Sequence, residues 1–220
     1  MTSTGSHGTQ IDAGASSSVG AHPKVCSASV TGWILVTTGA LGLAASLILT
    51  IEKIQLLVDP SYRPSCSINP VLSCGSVMSS PQASIFGFPN SILGIVGFTV
   101  LLTTGIVTLV ATNALPQWYW RCIVIGLFAG AVLVHWLIFQ SLYRIQALCP
   151  YCMLVWVVTM TALWYATLHL CTRSRSASSR TVTRIVTVGT KNHTLVPTIW
   201  VLSVASMILN AFWTYWSTLV

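Results

Sequence analysis

The sequence predicts an all-α integral membrane protein with five transmembrane helices. Only 6% of its 220 residues are charged, whereas 54% are apolar and the mean hydropathy is +0.78. Because soluble globular proteins carry about a quarter of their residues as charged side chains, this composition excludes an ordinary water-soluble domain. The charges are also unevenly distributed. Asp, Glu, Lys and Arg are absent from five long stretches, each longer than the roughly 20 residues that cross a bilayer.

Four of these stretches predict one span each, at residues 29–51, 122–142, 150–171 and 196–219. The remaining stretch, 64–120, is longer, and its first half is rich in Pro and Ser, which is typical of loops and short helices. Its second half, from Ser91 to about Ala111, predicts the last of the five spans. Residues 1–28 are rich in Ser, Thr and Gly and predict a disordered tail, whereas 172–195 predicts a basic loop.

The charged residues also predict how the chain is oriented. With five spans, the two termini lie on opposite sides of the membrane, and seven of the ten cations fall on the amino-terminal side. The positive-inside rule therefore predicts a cytoplasmic amino terminus and an extracytoplasmic carboxyl terminus. The seven predicted inner cations are Lys24, Arg121, Arg173, Arg175, Arg180, Arg184 and Lys191; the three outer ones are Lys53, Arg63 and Arg144.

Four of the seven cysteines fall on the predicted outer side, in two pairs. Cys66 and Cys74 lie in the loop after the first span, and Cys149 and Cys152 lie at the start of the fourth. The other cysteines lie at the predicted inner ends of spans, facing a reducing compartment. Disulfides persist outside the cytoplasm, so both outer pairs lie where disulfide chemistry is favoured.

Cys149 and Cys152 form a C-x-x-C motif, with Pro150 at the predicted first helical position. Residues three apart on a helix lie about 5 Å apart at Cα, which permits a disulfide. The exposed backbone N–H groups of a helix start stabilise a thiolate, so the sequence predicts a lowered pKa for Cys149. A structural disulfide remains an alternative for this motif. A zinc site is disfavoured because such sites need four ligands and no His lies near either pair.

The two pairs together predict an electron relay. A mobile Cys66/Cys74 loop would exchange with a thiol protein outside the membrane. The fixed Cys149/Cys152 pair would then pass two electrons to an oxidant dissolved in the bilayer. The alternative is a non-enzymatic protein, either a membrane metal carrier or an assembly scaffold with structural disulfides.

Three motifs connect these cysteines to a known family. They are DPSYRPSC at 59–66 followed after seven residues by CGSVMSS at 74–80, PNSILG at 89–94, and CPYC at 149–152. With this spacing and topology, the chain resembles bacterial members of the vitamin K epoxide reductase family over about residues 29–171. The resemblance implies a four-helix redox core, a short half-helix in the first extracytoplasmic loop, and a fifth, peripheral helix at 196–220.

The resemblance also implies an activity and its partners. The expected enzyme is a quinone-dependent oxidoreductase of the bacterial inner membrane that generates disulfides in exported proteins. Menaquinone or a similar quinone is the expected electron acceptor, with no metal. Bacterial members often continue into a fused thioredoxin-like domain, and this sequence stops at Val220. The expected partner is therefore a separate extracytoplasmic thioredoxin-fold (DsbA-like) protein.

Residue roles follow from the same resemblance. Cys149–Cys152 would be the active-site disulfide and Cys66–Cys74 the shuttle disulfide, with Cys74 and Cys149 forming the interchange disulfide. Trp156 stands where the family often has Tyr. The residues implied for quinone binding are Asn90, Ser80, Trp156, Met78 and Leu93. For Asn90, capping the second span is the alternative, since Asn is a favoured N-cap residue.

Other polar and aromatic residues receive plainer predictions. For His135 in the third span, helix packing is the expected role and a proton relay is the alternative. Glu52 and Asp59 are expected at the lipid headgroups rather than in acid–base work. Aromatic residues near the span ends are expected to form interfacial belts. These are Trp118, Tyr119, Trp120, Trp213, Tyr215 and Trp216.

Overall fold

The computed structural model describes residues 28–59, 61–69, 71–111, 114–173, 192–213 and 217. The predictions for the tail at 1–27, for most of the basic loop at 174–191, and for Tyr215 and Trp216 lie outside these residues. The helices are α1 (Ala28–Val58), α2 (Cys74–Ser79), a 3-10 helix (Pro81–Ser84), α3 (Asn90–Val110), α4 (Gln117–Gln140, continued by a π-helical turn at Ser141–Ile145), α5 (Pro150–Arg173) and α6 (Leu195–Ala211).

Four of the described helices are long and apolar enough to cross a membrane. They are α1 with 31 residues, α3 with 21, α4 and its π-helical turn with 29, and α5 with 24. The chain is therefore a multi-pass helical membrane protein. Helix α6 has 17 residues, which at 1.5 Å each give about 25 Å, less than the roughly 30 Å of a hydrocarbon core. The fifth span therefore stays a prediction.

Glycines allow α1 and α3 to pack backbone against backbone. A Cβ atom at Gly39 would lie 2.7 Å from the backbone nitrogen of Leu102, and one at Gly105 would lie 2.7 Å from that of Val36. Helices in lipid gain little from burying apolar side chains, so small residues that permit close approach supply much of their packing energy. This contact forms one wall of the bundle.

Helix α1 extends about two turns beyond the predicted span, because charge alone does not end a helix. The segment from Glu52 to Val58 is mostly strong helix formers. The helix ends shortly before Pro60, as expected for a residue that cannot continue it. Leu49, Glu52, Lys53 and Leu56 are spaced to share one face. This projecting end of α1 stands against the loop that carries Cys66 and Cys74.

The end of α4 directs the chain into the next helix. After the π-helical turn, Gln146 adopts a left-handed conformation with φ of 52°. This conformation is common at helix ends, where Gly or Asn usually adopts it. A short extended segment, Ala147 to Cys149, follows, and α5 begins at Pro150 as predicted.

Two indole groups attach α6 to the bundle. Trp200 Nε1 donates to His135 Nε2 at 3.0 Å, and Trp164 Nε1 donates to the His193 carbonyl at 2.8 Å. An indole N–H only donates, so His135 Nε2 accepts, and its Nδ1–H donates to the Ala131 carbonyl at 2.7 Å. His135 is thus a helix-packing residue, as its sequence context predicts.

The aromatic residues divide between surface and core. Trp118 and Trp213 are 64% and 67% exposed, consistent with the predicted belts. The prediction is wrong for Trp120, which is only 1% exposed and packs against the tilted ring of His169 at a ring distance of 4.3 Å. Tyr119 also turns inward and shares a 2.7 Å hydrogen bond with Thr104. Position near a helix end does not reveal which face a side chain occupies.

Candidate functional site

Three sulfur atoms meet at one end of the bundle. The Sγ atoms of Cys66, Cys74 and Cys149 all lie within 4.8 Å of one another. Cys66 and Cys74 form a disulfide with a Cα–Cα distance of 5.6 Å, whereas Cys149 and Cys152 carry free thiols. Cys74 Sγ and Cys149 Sγ are 3.1 Å apart. A thiol in contact with a disulfide sulfur is arranged for thiol–disulfide exchange.

A single backbone pairing brings the two distant segments together. Leu148 N–H donates to the Val71 carbonyl at 2.7 Å, and Ser73 N–H donates to the Leu148 carbonyl at 2.9 Å. These bonds form an isolated parallel bridge between Leu72 and Leu148. Cys149 directly follows the bridge residue Leu148, and Cys74 comes two positions after the bridge residue Leu72. The bridge therefore sets the position of Cys74 opposite Cys149.

The start of helix α2 fixes Cys74 further. Ser73 is its N-cap, and the Ser73 hydroxyl accepts a hydrogen bond from the Ser76 N–H at 3.4 Å. Ser is a favoured N-cap because its oxygen satisfies a backbone donor that the first turn leaves unpaired. Cys74 is the first helical residue and is fully buried.

The surroundings of Cys149 favour its thiolate form. Its pKa is lowered chiefly by the hydrogen bond with the Cys152 thiol, and further by the backbone N–H groups of Cys152 and Tyr151. Burial and the negative charge of Glu52 oppose this shift. The Cys152 N–H lies 3.5 Å from Cys149 Sγ. The direction agrees with the sequence prediction, but the neighbouring thiol contributes more than the helix start.

The loop that carries Cys66 and Cys74 is packed down. The sequence predicts a mobile Cys66/Cys74 loop that exchanges with a thiol protein outside the membrane, yet Cys66 is only 6% exposed. Cys74 and Cys149 are buried as well, and Leu49 and Met78 complete the cluster. Attack on Cys66 from outside therefore requires this loop to lift away from the bundle.

Two charged residues of α1 belong to the site, and the sequence does not predict this. Glu52 is only 6% exposed, so protein atoms rather than the expected lipid headgroups surround its side chain. Its Oε1 accepts from the Ser65 hydroxyl at 2.5 Å, and the Ser65 N–H lies 3.3 Å away. Lys53 Nζ donates to the Met78 carbonyl at 2.5 Å. One signal in the sequence could have indicated it: Glu52 and Lys53 are adjacent charged residues that directly follow an apolar span.

The predicted quinone residues fall into two groups. Met78 packs directly in the sulfur cluster, whereas Trp156 is buried in a neighbouring cluster with Val71 and Leu148. Cys152 borders both clusters. Cys152 thus connects the cluster that contains Met78 with the cluster that contains Trp156.

The remaining predicted quinone residues make local contacts. Asn90 Nδ2 donates to the Gln82 carbonyl at 2.8 Å, and its Oδ1 accepts from the Ile85 N–H at 3.2 Å. The Ser80 hydroxyl donates to the Val77 carbonyl at 2.7 Å. Leu93 is 39% exposed. Asn90 therefore fastens the segment after α2 to the start of α3, and a quinone carbonyl would have to share or displace these bonds.

An apolar cavity of about 490 Å³ lies between α4, α5 and α6. Its α5 residues, from Met160 to Thr167, stand at least two helical turns from Cys152. None of the predicted quinone residues lines it. The cavity is therefore separate from the sulfur cluster.

Two cysteine pairs thus converge at one end of the helical bundle. A family model described as the vitamin K epoxide reductase family matches residues 33–167. The chain belongs to the vitamin K epoxide reductase family. The match runs from α1 into α5, includes all four site cysteines, and confirms the resemblance drawn from the sequence motifs. A search of curated proteins finds no match to the chain. Membership in the vitamin K epoxide reductase family supports oxidoreductase activity in the membrane, linking disulfide formation to quinone chemistry.

Proposed function

We propose that this protein oxidises an extracytoplasmic thioredoxin-fold partner and passes two electrons to a quinone, driving disulfide formation in exported proteins. Cys66 and Cys74 form its shuttle pair, and Cys149 and Cys152 its active-site pair. The observation that supports this most strongly is the 3.1 Å contact between disulfide-bonded Cys74 and the free thiol of Cys149. The two pairs sit in contact while holding different oxidation states.

The first half of the cycle moves electrons from the partner to the loop. A partner thiolate attacks Cys66 Sγ, which breaks the Cys66–Cys74 bond and releases Cys74 as a thiolate. Cys74 then attacks Cys149 Sγ, breaks the Cys149–Cys152 disulfide and releases Cys152. The second partner thiol resolves the partner–Cys66 bond, so the partner leaves as a disulfide and Cys66 as a thiol.

The second half returns the loop to its disulfide form. Cys66 attacks Cys74, reforms the shuttle disulfide and leaves Cys149 and Cys152 as a dithiol. This is the distribution of bonds seen in the structure. The quinone, when bound, accepts two electrons and two protons from this dithiol and leaves as quinol. Cys149 and Cys152 are thereby rejoined as a disulfide.

A lowered pKa suits Cys149 to its role in this cycle. Cys149 is the leaving group when Cys66 attacks the Cys74–Cys149 bond, and a sulfur of low pKa leaves faster. The Cys152 thiol and the α5 backbone both lower that pKa. The asymmetry within the C-x-x-C motif thus favours release of Cys149 and reformation of the shuttle disulfide.

The wider organisation is part of the proposal. We infer a cytoplasmic tail at 1–28, a redox core at 29–171, a cytoplasmic basic loop at 172–195 and a fifth transmembrane helix at 196–220. In this arrangement α2 and the 3-10 helix form the extracytoplasmic half-helix. The sulfur cluster then opens towards the compartment where exported proteins acquire disulfides. The protein would reside in the bacterial inner membrane.

The test is quinone reduction by the purified, detergent-solubilised protein. C149A and C152A should each abolish quinol formation with any thiol donor. C66A and C74A should block a reduced thioredoxin-fold donor yet spare reduction by dithiothreitol, a small dithiol that can reduce the Cys149–Cys152 disulfide when the loop lifts. C122A, which removes an exposed cysteine outside the cluster, serves as the control. Unchanged turnover in C149A would reject the proposal.

The proposed quinone residues need a separate measurement. N90A should raise the KM for quinone more than it lowers kcat. N90D, which can still accept the Ile85 N–H bond, should lie between N90A and wild type. An unchanged KM in N90A would remove Asn90 from the quinone site and leave it a purely local fastening residue.

A metal carrier is the alternative with an observation behind it, since the three sulfurs lie within 4.8 Å of one another. A disulfide-bonded sulfur is not a thiolate ligand, however, and two of the three are joined. Stoichiometric Zn²⁺ retained by the fully reduced protein, together with absent quinone reduction, would favour the carrier.

A further inference from the structure

The strongest unassigned feature is the pair of charges at the outer end of α1. Glu52 and Lys53 are adjacent in sequence, yet they hold opposite sides of the loop that carries the shuttle disulfide. Glu52 binds Ser65, the residue before Cys66. Lys53 binds Met78, four residues after Cys74. The disulfide thus lies between two anchor points on a single helix turn.

The contact between Glu52 and Ser65 is unlike a surface hydrogen bond. The carboxylate is buried, and its Oε1 accepts both the Ser65 hydroxyl at 2.5 Å and the Ser65 N–H at 3.3 Å. Burying a carboxylate at a membrane helix end is costly unless charge-assisted hydrogen bonds compensate. The chain bears this cost at the residue that fixes Ser65 next to a reactive cysteine.

We propose that Glu52 is a positioning residue that holds the Cys66 side of the loop so that Cys74 Sγ stays in contact with Cys149 Sγ. This inference rests on the proposed function. Lys53 performs the matching task on the Met78 side. The contacts with α1 and the Leu72–Leu148 bridge then hold the loop from two sides.

The structure supplies both a conservative variant and a matched control. Gln at position 52 keeps an oxygen that accepts both Ser65 donors, whereas Ala removes it. Asp59 is the other acid near the loop, but it is exposed and its carboxylate binds only its neighbour Ser61. If loss of negative charge near the loop were enough to change its position, D59A would therefore show the same effect as E52A.

The experiment measures how fast Cys74 and Cys149 cross-link in a C66A/C152A background, which needs neither partner nor quinone. Mild oxidation, mass spectrometry of the joined peptides and the thermal midpoint are followed in parallel. E52A should slow cross-linking about tenfold, since it removes hydrogen bonds to a charged acceptor. E52Q should stay within about threefold of the background and D59A should match it.

Two results would overturn the positioning role: E52A cross-linking at the background rate, or E52Q failing as badly as E52A. If E52A does not fold, S65A removes the hydroxyl from the loop side and should slow cross-linking by a smaller factor; an unchanged rate there also overturns the role. Quinone reduction by wild type with dithiothreitol tests the proposed function separately. Inactive wild type with slowed E52A cross-linking would reject the function and keep the positioning role.

Discussion

Cys74 and Cys149 are 75 positions apart in sequence, yet their sulfur atoms lie 3.1 Å apart. Neither residue is near the other in any local pattern, and neither is exposed. The contact is made by a backbone bridge on one side and by the packing of α1 on the other. The proposed exchange between the two cysteine pairs would therefore need no large displacement of either sulfur.

This contact predicts a specific cross-link. In the C66A/C152A variant, each remaining site cysteine lacks its usual partner, so Cys74 and Cys149 should form a disulfide on mild oxidation. Mass spectrometry without reduction should find their two peptides joined. Adding C74A should abolish the joined peptides. Joined peptides that contain Cys122 or Cys171 in their place would contradict the observed arrangement.

The environment of Cys149 predicts its titration. Because its pKa is lowered, the thiolate should persist as pH falls below the usual thiol pKa of about 8.5, and should be lost only lower on the scale. The difference in ultraviolet thiolate absorbance between wild type and C149A, followed against pH, measures this. C152A removes the largest cause and should move the midpoint upwards. A midpoint that does not move would mean that the helix start alone sets this pKa.

The close contact between α1 and α3 predicts that even a Gly→Ala substitution at this contact lowers the stability of the protein. In G39A, the added methyl group would meet the Leu102 backbone at 2.7 Å, which cannot yield as a side-chain tip can. We expect a loss of about 1–3 kcal/mol of stability, measured by thermal unfolding in detergent. G97A is the matched control, because a Cβ there has no neighbour within 4 Å. Equal effects at both positions would contradict backbone contact.

The hydrogen bond from Trp200 to His135 predicts how α6 is retained. W200F keeps most of the ring but removes the donor, and should weaken docking by about 1 kcal/mol. Limited proteolysis within 174–191 should then be faster. W213F alters an exposed indole and should leave the cleavage rate unchanged. If the loss of docking free energy in the H135A/W200F double variant equals the sum of the losses in the two single variants, the two side chains are not coupled.

Much of the fold could be predicted from the sequence, because a missing charge is a strong signal in lipid. The starts of α3 and α5 follow closely from the charge-free stretches and from Pro89 and Pro150. The grouping of the four site cysteines followed from counting cations, which involves no cysteine at all. These signals depend on the solvent around the chain and hence on composition, which a single sequence contains.

The finer parts of the site could not be predicted, for physical reasons. A one-residue backbone bridge such as that between Leu72 and Leu148 leaves no periodicity in the sequence. Glu52 is buried by a loop that folds over it, whereas hydropathy places any charge beside a span at the headgroups. Trp120 turns inward because of the face of α4 that it occupies. Each depends on tertiary contacts between distant segments.

The bridge between Leu72 and Leu148 joins main-chain atoms, so its geometry is indifferent to which side chains stand there. What it does demand is a fixed count of residues, two from Leu72 to Cys74 and one from Leu148 to Cys149. Related sequences should therefore vary among apolar residue types at 71, 72 and 148, where the side chains pack in a buried cluster, while avoiding any change of length. Inserting a single residue between a bridge residue and its cysteine would therefore disturb the contact between Cys74 and Cys149 more than almost any substitution there.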